Sequence, residues 1–276
     1  MKAHAMNKKN CGIALVTGAS SGIGLATARA LHRDGYRVFC TSRKPTPDAS
    51  DGIAMLICDV TDDASVQSAV DEVLGRAGRI DLLVNNAGIG LVGGAEESSV
   101  AQVQALFGVN LFGVIRMTNA VLPSMRRRGA GRIINIGSIL GLIPAPYAAY
   151  YSAAKHAVEG YSESLDHEVR AFNIRVSVIE PAYVRTVFDQ NGIKPDSILN
   201  EYDRARADVA ALLRDVMPTA DLPNVVADVV VKAATDARPR RRYTAGKAAQ
   251  QVSLLRRFAP AELFDRSLRK QFRLPV

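Results

Sequence analysis

Short runs of consecutive apolar residues alternate along the chain with longer stretches in which apolar positions recur every three or four residues. The runs are Ile13–Val16, Arg37–Thr41, Ile53–Cys58, Leu82–Val84, Ile133–Ile136 and Arg175–Ile179. Helical spacing fills Gly22–Arg33, Asp63–Ala77, Val100–Arg127 and Tyr151–Phe172 between them. A strand buried on both faces has no polar alternation, and the helices between such strands supply the cover. The pattern therefore predicts a doubly wound α/β fold, one parallel sheet flanked by helices. After Pro181 the alternation stops. A mixed segment follows, then helices over about Asn200–Val216 and Leu222–Thr235 and a last strand near Arg241–Ala245. No linker breaks the chain, so residues 11–245 read as one domain, with 246–276 as an extension.

Composition narrows the class. The 276 residues are 48% hydrophobic and 22% charged, ordinary for a globular chain that buries a large core. No run of about 18 apolar residues free of glycine, proline and charge is present, so no membrane span is expected. Cys11, Cys40 and Cys58 lack Cys-x-x-Cys or Cys/His ligand spacing, as do the four histidines. No metal site is expected, and the sparse, odd cysteine count suits a reducing, cytoplasmic location. Residues 1–10 read as a loose polar leader in which Met6 is a second possible start. Lys8 and Lys9 before Gly12–Val16 imitate a signal peptide, but Thr17-Gly18 breaks the apolar run at once.

The net charge of +8 is concentrated at one end. Residues 238–276 hold eleven Lys or Arg against Glu262 and Asp265, whereas the first 237 residues hold 24 basic and 25 acidic residues. A neutral body lacks the docking face that nucleic acid requires.

Thr17-Gly18-Ala19-Ser20-Ser21-Gly22-Ile23-Gly24 joins the first strand to the first helix. Glycines there permit positive φ and let an anion approach bare backbone, and the helix start offers free N–H groups. Alone, such a turn is also compatible with a plain tight turn. About 20 residues on, an acid would hold the ribose hydroxyls of NAD. The second strand instead ends Thr41-Ser42-Arg43-Lys44, and Arg43 with Ser42 suits the 2′-phosphate of NADP(H).

Tyr151 and Lys155 stand four apart in a helical pattern and share a face. A phenol works as a proton donor or acceptor near neutral pH only when its anion is stabilised, and an ammonium does that. The plainer alternative is a surface aromatic–cation pair. Ser138 follows the strand Ile133–Ile136, at the sheet end where ligands bind; a turn serine is the alternative. Asn110, inside an apolar stretch, either ties down backbone or holds a water.

Together, Thr17–Gly24, Asn85-Asn86-Ala87-Gly88, Asn110, Ser138 and Tyr151-Ser152-Ala153-Ala154-Lys155 resemble the typical short-chain dehydrogenase/reductase family, in its order and spacing. The resemblance covers roughly residues 12–245 and implies a Rossmann-type fold. Glu180-Pro181 and the tail segments Arg242–Lys247, Leu263–Asp265 and Arg269–Phe272 are similar to the hydroxysteroid- and retinol-dehydrogenase-like branch.

The resemblance implies that Tyr151 is the general acid or base, that Lys155 lowers its pKa and holds the nicotinamide ribose, that Ser138 orients the substrate oxygen, and that Asn110 positions a relay water. It places Gly18, Ser20, Ser21, Gly22, Ile23 and Gly24 at the pyrophosphate and Asp59 and Val60 at the adenine. Asn86, Ala87 and Gly88 fall near the ribose, and Pro181, Val184 and Thr186 beside the nicotinamide. Two departures stand out: Ala182 replaces the glycine usual after Pro181, and Gly137 occupies a position where a second serine is frequent.

The apolar residues Ile139, Leu140, Leu142 and Ile143 after Ser138, Ile89, Leu91 and Val92 after Gly88, and Val184, Val187 and Phe188 suit a lipophilic ketone or secondary alcohol, or else pack on one another; steroid, retinoid, fatty-acyl and aromatic carbonyls all fit. The tail can form basic amphipathic helices that pack on the body, cover the cleft or lie on an anionic membrane. Packing on the body or on a partner subunit is the reading preferred here. A non-catalytic nucleotide sensor is the rival to an enzyme, and the resemblance implies a homodimer or homotetramer.

Overall fold

The computed structural model describes residues 11–47, 52–188 and 191–274. The expected leader at 1–10, with Met6, lies outside them. The elements run β1 (Gly12–Val16), α1 (Gly22–Arg33), β2 (Tyr36–Ser42), β3 (Ala54–Ile57), α2 (Asp63–Ala77), β4 (Leu82–Asn85), α3 (Val100–Phe107), α4 (Gly113–Arg128), β5 (Gly131–Ile136), α5 (Ala149–Val169), β6 (Ile174–Pro181), α6 (Asp203–Val216), α7 (Pro223–Thr235), β7 (Arg242–Ala245), α8 (Lys247–Phe258) and α9 (Ala261–Gln271).

The strands form one parallel sheet in the order β3-β2-β1-β4-β5-β6-β7. The strand order reverses between β1 and β4, the switch point where crevices open in such sheets. Each face carries its own core. On one, Leu15, Phe39, Leu83 and Ile133 meet Val70 of α2, Met117 and Val121 of α4 and Leu165 of α5. On the other, Val16, Val38, Val84 and Ile134 meet Leu31 of α1 and Val226 and Val230 of α7. Both sides being covered is why the strand sequences show no polar alternation.

Local chemistry sets several ends. Asp62 caps α2 by accepting from the Ala64 and Ser65 N–H groups, and Gly78 ends it at φ +74°. Ser99 caps α3 by accepting from Gln102 N–H. The helix expected over Val100–Arg127 exists but is α3 and α4 joined by a π-helical turn at Gly108–Phe112. By length and composition alone the joined run Val100–Arg128 could cross a membrane, a test that the core helix of a soluble protein also passes. Glycines that look like breaks in the sequence are accommodated here; a Cβ on Gly113 would lie 2.8 Å from Val60 Cγ2. Leu106, Met117, Val121 and Met125 of this run are buried in the fold.

The tail divides. On α9 and just beyond it, Leu268, Phe272 and Leu274 pack with Ala145, Ala148 and Val209, and Tyr147 and Tyr151 border the same cluster. Phe264 of α9 is buried under Arg256, whose guanidinium stands 5.3 Å from its ring. On α8, Leu254, Leu255 and Phe258 stay exposed.

Candidate active site

The C-terminal ends of β1, β4, β5 and β6 bring the singled-out residues to one edge of the sheet. At β1, Gly18 and Gly22 sit at φ +62° and +57°, conformations that a side chain disfavours. Close contact demands the third glycine: a Cβ on Gly24 would fall 2.5 Å from Asn86 Nδ2 and 2.6 Å from the Gly18 carbonyl. Asn86 explains this crowding, since its amide donates to the Thr17 and Gly18 carbonyls at 2.9 and 3.0 Å. Thr17 Oγ1 returns the link by accepting from the Asn86 and Ala87 N–H groups, both at 3.0 Å. The turn is thus pinned from β4 and cannot collapse onto itself. Ser20 and Ser21 are exposed, and Ser21 makes no side-chain cap on α1. An uncapped helix start beneath a bare, rigid turn fits an anion. Thr186 stands across this opening, with Cγ2 3.2 Å from where a Cβ of Gly22 would be.

At the end of β2, Thr41 accepts the Ala19 N–H through its carbonyl, so the glycine turn and the Ser42-Arg43 corner move as one piece. Arg43 is exposed, Ser42 buried. Arg43 lies near enough to Asp59 to favour its carboxylate. The larger causes of that lowered pKa are the bonds from the Thr61 N–H and hydroxyl, at 2.9 and 2.7 Å. Val60 is buried behind Asp59.

Tyr151 and Lys155 do share a face of α5. Lys155 is buried, donates to the Ile136 carbonyl at 2.8 Å, and holds its ammonium 5.7 Å from the Tyr151 ring centre. Burial pushes its pKa down to about 8, partly offset by Glu159 one turn on. Ser138 caps the short turn Ile139–Gly141, its Oγ accepting from Leu140 N–H at 3.1 Å. That turn packs on α5, where a Cβ on Gly141 would lie 3.1 Å from the Lys155 carbonyl. Phe188 meets the Tyr151 ring edge-on with centres 6.0 Å apart, and Leu140 and Tyr151 pack against the same apolar cluster.

Asn110 ties down backbone. Held by the π turn, it accepts from Ile89 N–H and donates to Ile89 C=O, each at 2.9 Å. Pro181 is buried at the end of β6, and Val184 packs, partly buried, against the core on the α1/α7 face of the sheet. Val92 and Val187, expected in the apolar wall, are exposed; Leu91 is buried and bridges to Ile193.

Sequence reasoning missed two groups here. Thr17 counted only as part of the turn, although a hydroxyl between strand and turn was a visible signal. Glu159 and Glu180, both buried behind Ser138 and Lys155, went unread as site residues. The four-residue step from Lys155 to Glu159 was the available clue.

Comparisons with known proteins agree with this geometry. A stretch of residues 12–197 matches the short chain dehydrogenase family. The chain is 46% identical to a 3-ketodihydrosphingosine reductase of Bacteroides thetaiotaomicron, over 65% of this chain and 66% of that one. Retinol dehydrogenase 8 of Bos taurus is 38% identical over 83% of this chain and 80% of its own. A short chain dehydrogenase/reductase from Burkholderia phymatum, solved in complex with NAD, superposes with a TM-score of 0.79 at 28% identity, over 91% of this chain and 95% of that one. The chain belongs to the short-chain dehydrogenase family.

Proposed function

We propose that this chain is an NADP(H)-dependent carbonyl reductase or alcohol dehydrogenase that interconverts a lipophilic ketone and its secondary alcohol. The observation that carries the reading is Tyr151 and buried Lys155 on one face of α5, with the turn capped by Ser138 packed on that helix and the glycine turn following β1 at the same edge of the parallel sheet. Gly18, Ser20, Ser21, Gly22, Ile23 and Gly24 would hold the pyrophosphate of the cofactor. Ser42 and Arg43 would hold a 2′-phosphate, Asp59 and Val60 the adenine, and Asn86, Ala87, Gly88 and Lys155 the ribose side. Pro181, Val184 and Thr186 would flank the nicotinamide, which when bound supplies or accepts a hydride.

The proton is the protein's work. In reduction Tyr151 gives its hydroxyl proton to the new alkoxide, and in oxidation its phenolate takes one. Lys155 stabilises that phenolate while its ammonium persists, that is, below its own pKa. Ser138 keeps an Oγ–H for the substrate oxygen, since its bond to Leu140 uses only a lone pair. Asn110 spends one donor and one acceptor on Ile89 and has a second of each to hold a water that passes protons from Lys155.

Support for an apolar substrate comes from Phe188 against the Tyr151 ring and from Leu140, Leu268 and Phe272, which belong to the apolar cluster that Tyr151 borders. The relatives named 3-ketodihydrosphingosine reductase and retinol dehydrogenase 8 are in keeping with it. Support for NADP(H) rests on Arg43, and it is needed because a neighbour of this fold was solved with NAD. Three free cysteines suit a reducing compartment, in keeping with a cytoplasmic enzyme. Phe112, exposed beside α4, suits a homodimer or homotetramer packed through α4 and α5.

Incubation with NADPH deuterated at the transferable position and a long-chain ketone tests the proposal. Deuterium on the carbinol carbon of the product is the expected result. Failure to label any of a panel of steroid, retinoid, acyl and aromatic carbonyls, despite cofactor binding, would overturn it in favour of a nucleotide sensor.

A further inference from the structure

Behind Ser138 and Lys155 lies a cluster that the proposed chemistry does not use. Glu159 on α5 and Glu180 on β6 are 3% and 1% exposed. Both reach the same nitrogen, Nε of Arg242 on β7: Glu159 Oε2 at 3.0 Å and Glu180 Oε1 at 3.6 Å. Arg242 also stands 3.6 Å from Glu163, which is half-exposed on α5. Glu159 Oε1 and Glu180 Oε1 are buried without a hydrogen-bond partner. The charged groups facing the pair are thus Arg242, Glu163 and Lys155.

One guanidinium, shared among three carboxyls and itself partly in water, cannot neutralise two buried carboxylates. An unpartnered carboxylate oxygen in a dry site is costly, and protonation removes that cost. Burial pushes both glutamates upward, toward neutral pH. Gly137 makes the arrangement possible, since a Cβ there would lie 2.9 Å from Glu159 Oε1 and 2.5 Å from Val178 Cγ1. The departure from serine at 137 and the buried acid are one feature.

We propose that Glu159 and Glu180 form a carboxyl pair that shares one proton, with Arg242 as counter-ion, and that the pair acts as a positioning element setting the charge of Lys155. It rests on the reading that Lys155 supports Tyr151. Glu159 is one helical turn from Lys155 and raises its pKa when ionised. Glu180 works in the opposite sense, because its charge keeps the proton on Glu159. When the pair loses its proton to solvent, Glu159 becomes fully charged and Lys155 is held protonated to higher pH.

The two conservative variants must therefore move Lys155 in opposite directions, which a merely structural role would not do. Carboxyl and lysine side-chain NMR titration of the cofactor-free protein reads this without any turnover. In the wild type one glutamate carboxyl should titrate near neutral pH. Glu180→Gln should lower the Glu159 titration and raise that of Lys155, each by about one pH unit. Glu159→Gln should lower Lys155 by a similar amount. Arg242→Gln, at a half-exposed site, should push the pair higher still and serves if either glutamine variant fails to fold. The alkaline limb of kcat/KM should follow Lys155 in all three. Both carboxyls titrating in the ordinary glutamate range, or the two glutamine variants shifting Lys155 the same way, would overturn the pair. Correct NMR shifts with no turnover on any carbonyl would instead sink the reductase reading and leave the pair standing.

Discussion

The ammonium of Lys155 is held 5.7 Å from the centre of the Tyr151 ring by a hydrogen bond to the Ile136 carbonyl. That bond runs from α5 to the end of β5, so the distance between charge and phenol is set by the sheet rather than by a flexible side chain. With Lys155 titrating at about 8, the support it gives the phenolate is present below that pH and fades above it.

Lys155→Met should therefore cost about 10²-fold or more in kcat, the scale of positioned acid–base catalysis. The variant should also lose the alkaline limb that Lys155, its pKa lowered to about 8 by burial, is expected to give the wild type. Steady-state kinetics across pH 6 to 10 checks both. A variant retaining wild-type kcat would place the proton chemistry elsewhere.

Arg43 is exposed at the corner after β2, where its planar fork is free to meet a phosphate. Arg43→Ala should weaken NADPH binding by about ten- to hundredfold, the worth of a lost charge-assisted contact, while NADH binding barely changes. Calorimetry with both cofactors is the measurement, and equal loss for the two would make Arg43 a general surface charge.

Stability should carry the signature of the buried acids. Burial raises Glu180 to about 8 from an ordinary value near 4.5, with Glu159 and Glu163 adding to the rise against Arg242. A raised folded pKa means that the stabilisation is full below about pH 4.5 and is lost as pH climbs through 8. Denaturant unfolding at pH 5 and pH 8.5 should thus show the wild type losing about 1–3 kcal/mol more over this interval than Glu180→Gln. Equal losses would mean that Glu180 ionises normally in the fold.

Phe272, buried at the end of α9, packs in the cluster that borders Tyr151. Phe272→Ala should raise KM for a long-chain ketone by about tenfold, as lost apolar burial on that scale would give, and leave KM for a small ketone nearly unchanged. Michaelis constants for a chain-length series decide it; a uniform change would reduce α9 to a structural brace.

The parts most legible in the sequence were those governed by local rules. Gly22–Arg33 and Asp63–Ala77 emerge as α1 and α2 at the expected ends, because glycine turns and capping acids are written in the residues that form them. The Tyr151–Lys155 pairing needed only helical periodicity. Three things were not legible. The π turn that aims Asn110 at Ile89 breaks no sequence rule, since a single wide turn costs no apolar position. The grip of Asn86 on the Gly18 carbonyl joins residues 68 apart. Glu159 and Glu180 meet only because α5, β6 and β7 converge on Arg242. Such convergence is a property of the assembled sheet, and no window of sequence contains it.

The central claim is that Tyr151, supported by Lys155, moves the proton in an NADPH-linked carbonyl reduction. The most direct test is NADPH oxidation by lipophilic ketones with wild type and Tyr151→Phe side by side, after confirming that both bind NADPH. The account expects turnover with the wild type and a loss of about 10²-fold or more in the variant, with NADPH favoured over NADH. Undiminished turnover by Tyr151→Phe, or tight NADPH binding with no turnover by the wild type on any carbonyl, would contradict it.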